Sequence, residues 1–66
     1  MDITLGQLFR KNDLPYITWE VSAINRYPDA LMYARLRRVD DRATVKTLSC
    51  ATLQDRKLFH MVPAGT

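Results

Sequence analysis

"ALMYARLRRV", Ala30–Val39, admits two readings, and the fold class turns on which one holds. As a strand it sends Met32, Ala34 and Leu36 to one side and Tyr33, Arg35 and Arg37 to the other. As a helix it places Met32, Leu36 and Val39 at i, i+4 and i+7, with Asp29 as a cap and good helix formers between. Local propensity favours the helix. Context favours the strand: the segment is short, it ends in the turn-prone "DDRA" of Asp40–Ala43, and the β-rich "TVKTLS" of Thr44–Ser49 follows at hairpin spacing. Pairing between strands overrides a weak propensity, so the strand reading is adopted. A helix over residues 29–39 would instead make the protein α+β.

The flanking segments agree with β structure. "YITWEVSAI", Tyr16–Ile24, alternates with a period of two: Ile17, Trp19, Val21 and Ala23 on one side, Thr18, Glu20 and Ser22 on the other. Turn-forming "KNDLP" precedes it and "NRYPD" follows. Upstream, "ITLGQLF" reads as a short strand broken at Gly6 by a bulge or sharp turn, with Leu5, Leu8 and Phe9 able to reach a core. Downstream, Val45 and Leu48 break parity in "ATVKTLSC", so burying both calls for a bulge near Lys46–Thr47. "CATLQDRKLFHMV" starts with Ser49 or Thr52 as a cap, makes one short helical or 3-10 turn, and ends in a last strand. Four to five short strands at this spacing predict an all-β small barrel over residues 1–62, with 63–66 as a frayed tail. Closure matters, because an open sheet exposes two edges.

This order of segments resembles a group of very short bacterial proteins with SH3-like barrels. The matching pieces are Gly6, Trp19 with Val21, Ser49, Leu53 with Asp55, and Phe59. The resemblance implies an SH3-like small barrel and carries no known activity with it.

Composition bounds the function. Sixty-six residues form one domain at most, and a 47% hydrophobic fraction suffices for a small core. Cys50 is the single cysteine, so no internal disulfide is available, and no Cys/His spacing suggests a metal site. No secretory leader and no apolar run of membrane-spanning length stand out, so a reducing, cytoplasmic location is expected. The net charge of +3 is uneven: residues 26–46 carry six cations against three acids. These cations are interleaved with apolar residues, so they belong to folded structure.

Catalysis is not expected. A Cys50–His60 pair would need a third, orienting group and a cleft, and Asp40 and Asp41 sit in a turn where Asp bonds local backbone. No cofactor is expected either. Two binding readings remain. One is recognition of a protein partner through Tyr16 and Tyr27, which flank turns, whereas Trp19 alternates with core residues. The other is weak single-stranded RNA or DNA binding by a basic hairpin face of Tyr33, Arg35, Arg37 and Lys46. The plain alternative is a solvated face whose arginines pair with Asp and Glu. Spare strand edges leave homodimerisation open.

Overall fold

A computed structural model describes residues 3–27 and 31–63. Within the opening stretch, residues 32–38 decide between helix and strand. Met32–Arg38 is a strand, β3, with Met32, Ala34 and Leu36 turned to the core and Tyr33, Arg35 and Arg37 turned away. The expected Asp29 cap, the "PD" of the turn after Tyr27 and the tail beyond Pro63 lie outside the described residues.

The other elements are β1 (Leu8–Lys11), β2 (Leu14–Arg26), β4 (Val45–Ser49), α1 (Cys50–Leu53) and β5 (Phe59–Val62). All pairings are antiparallel, in the order β4-β3-β2-β1-β5. Successive hairpins join β1 to β4, and α1 then carries the chain across so that β5 pairs with the free side of β1. Small all-β architecture is therefore as expected. No ladder joins β4 to β5, so the barrel is left open along that seam.

β2 organises the sheet. Its thirteen residues pair with β1 through Thr18–Glu20 and with β3 from Trp19 onward, so Trp19 and Glu20 belong to both ladders. Ile17, Trp19 and Val21 face inward as the alternation predicts. The pattern then shifts. A bulge between Val21 and Ala23 opposes an extra residue, Ser22, to β3, and the Ser22 hydroxyl donates to the Arg35 carbonyl at 3.1 Å. Parity reverses there. Ile24 packs against the core, and Ala23 joins Arg35 on the outer face, opposite to the expected assignment.

Two further expectations are corrected. At the N-terminus the expected sharp turn forms at Gly6, with φ 86° and its N–H bonded to the Val21 carbonyl at 2.9 Å, but among the described residues no strand precedes it and β1 starts at Leu8. From that turn Ile3, not Leu5, enters the core, while Leu8 lies half-buried on the outer face opposite Glu20. Second, β3 and β4 pair without interruption from Arg37↔Val45 to Tyr33↔Ser49, so no bulge forms at Lys46–Thr47. Leu48 packs inward and Val45 stays exposed.

The core consists of Ile3, Phe9, Trp19, Val21, Ala34, Leu36, Cys50, Leu53 and Phe59. Ser49 ends β4 and caps α1, its hydroxyl accepting from the Thr52 N–H at 3.1 Å. The turn is α-helical rather than 3-10, and it delivers Cys50 and Leu53 beneath the sheet. Since Trp19 sits at the junction of both ladders, Trp19→Ala leaves a cavity under each. The expected cost is roughly 3–5 kcal/mol, a large share of the stability of so small a domain, measured by urea unfolding.

Candidate functional site

Strand parity places the basic residues first. Tyr33, Arg35 and Arg37 share the outer face of β3, and their partners Ser49, Thr47 and Val45 share that face on β4. Lys46 pairs with Leu36 and therefore faces the other way. The expected four-residue site is split: three of its members stand outside and Lys46 reaches over the core.

The three outer residues differ in their surroundings. Arg37 is paired with Glu20, Nη2 to Oε1 at 3.0 Å, across the β2–β3 ladder. Arg35 is exposed, faces Ala23 on β2, and has no ion-pair partner among the described residues. Tyr33 is half-buried, its ring meeting that of Tyr27 edge-on at 5.1 Å between centroids. Nearby, Arg38 grips Asp40 through two hydrogen bonds of 2.9 and 2.7 Å. These bonds raise the Arg38 pKa and lower that of Asp40. Asp41 holds the turn by accepting from the Thr44 hydroxyl and the Ala43 N–H. Much of the local charge is thus spent within the hairpin; among the described residues, Arg35 on the strand and Arg42 in the turn have no ion-pair partner.

Tyr16 and Tyr27, expected to share one protein-binding patch, lie at opposite ends of β2. Tyr16 is 77% exposed near its start, whereas Tyr27 follows its end and meets Tyr33 edge-on. They form no common surface.

Lys46 occupies the open seam. Its ammonium lies 4.3 Å from the centroid of Trp19 and 5.5 Å from that of Phe59, so a residue of β4 reaches over a ring of β5. Burial pushes its pKa down, and the positive charge of Lys11 adds to that. The negative ring faces act in the opposite sense and favour the charged form.

Sequence reasoning missed a cleft beside β5. It is open to solvent, has a volume of about 280 Å³, and is lined by Phe9, Leu53, Phe59 and Met61 with Gln54, Arg56 and His60. Its floor follows from register: Phe9 pairs with Met61, and both face the side on which α1 places Leu53. Alternation in "FHMV" puts Phe59 and Met61 on one face, but nothing local says that they will meet Phe9. His60 turns the other way, its Nδ1 2.8 Å from the Asn12 side-chain oxygen.

A second cleft, of about 510 Å³, is lined by Ile3, Arg26, Met32, Cys50 and Gln54. Cys50 and His60 therefore line different clefts, and burial raises the Cys50 thiol pKa, away from the nucleophilic thiolate. No group of His, Cys, Asp and Glu among the described residues has metal-binding geometry. Nor is any described helix long and apolar enough to cross a membrane. No family model matches this chain, and no curated protein or solved structure matches it.

Lys46 and Arg35 differ in what they hold together. Lys46→Ala removes a cation–π contact and the packing of its stem, and is expected to cost about 1–2 kcal/mol. Arg35→Ala changes stability by no more than about 0.5 kcal/mol. Urea unfolding of both variants checks the contrast.

Proposed function

We propose that this chain is a non-enzymatic binding module of the cytoplasm that recognises a protein partner through the cleft beside β5. The carrying observation is an apolar floor open to solvent, Phe9, Leu53, Phe59 and Met61, with Arg56 and His60 among the lining residues and no acid. Such a floor takes an apolar side chain, and an unopposed cation beside it favours carboxylates next to that anchor. The occupant is thus a partner segment presenting a Leu-like residue between acidic ones. The test is an amide-resolved NMR titration with the capped tripeptide Glu-Leu-Glu, using Lys-Leu-Lys as its counterpart. Shifts at Phe9, Leu53, Phe59 and Met61 with the acidic peptide, weakened by Arg56→Glu, are expected. Equal response to both peptides, or none, overturns the reading.

A second reading has its own observation. Arg35, without an ion-pair partner among the described residues, stands two residues from Tyr33 on the same face, beside the Tyr27–Tyr33 pair. A cation next to aromatic rings is the local arrangement that holds single-stranded nucleic acid. Arg35 and Arg37 are two of the four residues first expected for it, and Arg37 is already paired with Glu20. Titration with mixed-sequence single-stranded RNA is expected to shift Tyr27, Tyr33 and Arg35. With about one phosphate contact, at Arg35, the log-affinity slope against log salt is about −0.7. Silence at low salt removes this reading.

A further inference from the structure

We propose that the free edge of β4 is a strand-addition site for an extended, acidic segment of a protein partner. The argument begins with the hydrogen-bond phase of the β3–β4 ladder. The Arg38 N–H donates to the Thr44 carbonyl at 3.0 Å, in the same register as the rest of the ladder. In an antiparallel pair, hydrogen-bonded and non-bonded positions alternate. Lys46 and Leu48 therefore spend their main-chain groups on β3. Val45 and Thr47 turn their N–H and C=O groups away from the sheet, as does the N–H of Ser49. β4 is the last strand on this side, and among the described residues no hydrogen bond uses these groups.

No proline interrupts Val45–Ser49 and no bulge twists the edge away; its one charged residue, Lys46, points inward over Trp19 and blocks none of the outward main-chain groups. At the opposite edge, the same alternation works from the Asn12 N–H donating to the Leu58 carbonyl at 2.8 Å. It leaves only Phe59 and Met61 facing outward. There the Phe59 N–H is taken by the Asp55 carbonyl at 3.0 Å, and Pro63, just past the strand, has no N–H to offer. β4 is the edge that can accept a strand.

Charge selects the occupant. A strand added to β4 places one residue opposite Thr47, in the row Ala23–Arg35–Thr47 on the outer face. Strand spacing puts that residue about 9.5 Å from Arg35, with only the short Thr47 side chain between them. A carboxylate there meets the exposed guanidinium, which has no acid partner among the described residues. Lys46 adds a second positive charge along the same edge, on the inner face. A second copy of this chain, itself at net +3, offers no carboxylate from its own Val45–Ser49 edge to answer Arg35. This site is separate from the cleft beside β5 and stands or falls without it.

The test is hydrogen exchange read by NMR, with an octapeptide alternating Val and Glu and its Val/Lys counterpart. In the free protein, Lys46 and Leu48 amides exchange slowly, while Val45 and Thr47 exchange fast. The Val/Glu peptide is expected to slow Val45, Thr47 and Ser49 at least about tenfold, whereas the Val/Lys peptide leaves them unchanged. Thr47→Pro removes the central free donor and no ladder bond, so it abolishes that protection while the rest of the spectrum persists. An octapeptide N-methylated at alternate residues tests the same bond without altering the protein, and is expected to lose protection on the blocked edge. Slow exchange of Val45 and Thr47 in the free protein, equal protection by both peptides, or protection that rises with protein concentration alone overturns the proposal. A response confined to Phe9, Leu53, Phe59 and Met61 also overturns it, while upholding the cleft.

Discussion

Everything in this fold hangs on one strand serving two ladders. β2 carries Trp19 between Phe9 of β1 and Arg38 of β3, and no other strand pairs with both halves of the sheet. A straight strand of that length would hold a flat sheet with its apolar side unprotected. The bulge at Ser22 prevents this by bending the strand and reversing its parity, so that Ile24 rejoins the core that Ile17, Trp19 and Val21 began. The Ser22 hydroxyl bonds the Arg35 carbonyl at the same point, which ties the bend to the strand bearing the outer arginines.

The open seam follows from the same economy. With only α1 and its following turn between β4 and β5, the chain returns to the free side of β1 instead of closing on β4. Lys46 spans part of the interval with a charge over two rings rather than with main-chain hydrogen bonds. Such a contact is compact and saturates locally. It covers Trp19 but leaves the outward N–H and C=O groups of β4 without partners, because side chains on the inner face cannot reach them. Core protection and edge protection are separate problems here, and the lysine addresses only the first.

Alternation made β3 and the first half of β2 legible, since both are half-buried strands with one apolar face. What escaped has physical causes. The bulge at Ser22 left no mark, because Ala23 and Ile24 are both apolar and either can face inward. Local pattern sets Lys46 beside Arg35 and Arg37, and it calls for a bulge at Lys46–Thr47 if Val45 and Leu48 are both buried. The ladder instead continues unbroken, and the polar residue, not the valine, occupies the inward position. A lysine is tolerated there only because two ring faces receive its charge, and that is a tertiary fact. Tyr27 and Tyr33 were assigned to different surfaces for the same reason: the edge-on contact joins the end of one strand to the start of the next. The cleft beside β5 depends on the Phe9–Met61 pairing, a contact between distant segments that no local pattern encodes.

Arg35 is the residue on which these observations converge. Three arginines lie within four positions of one strand. Glu20 answers Arg37, Asp40 answers Arg38, and no acid among the described residues answers Arg35. An exposed arginine contributes little to folding in either case, so stability does not require the difference. Its neighbours sharpen the contrast: Ala23 on one side and Thr47 on the other are too short to screen it, and beyond Thr47 lies an edge whose hydrogen-bonding groups are also unused. An unspent charge and an unspent strand edge in one cross-strand row are each unremarkable singly. Together they have a common complement, an extended chain with a carboxylate in register, and this single geometry satisfies both.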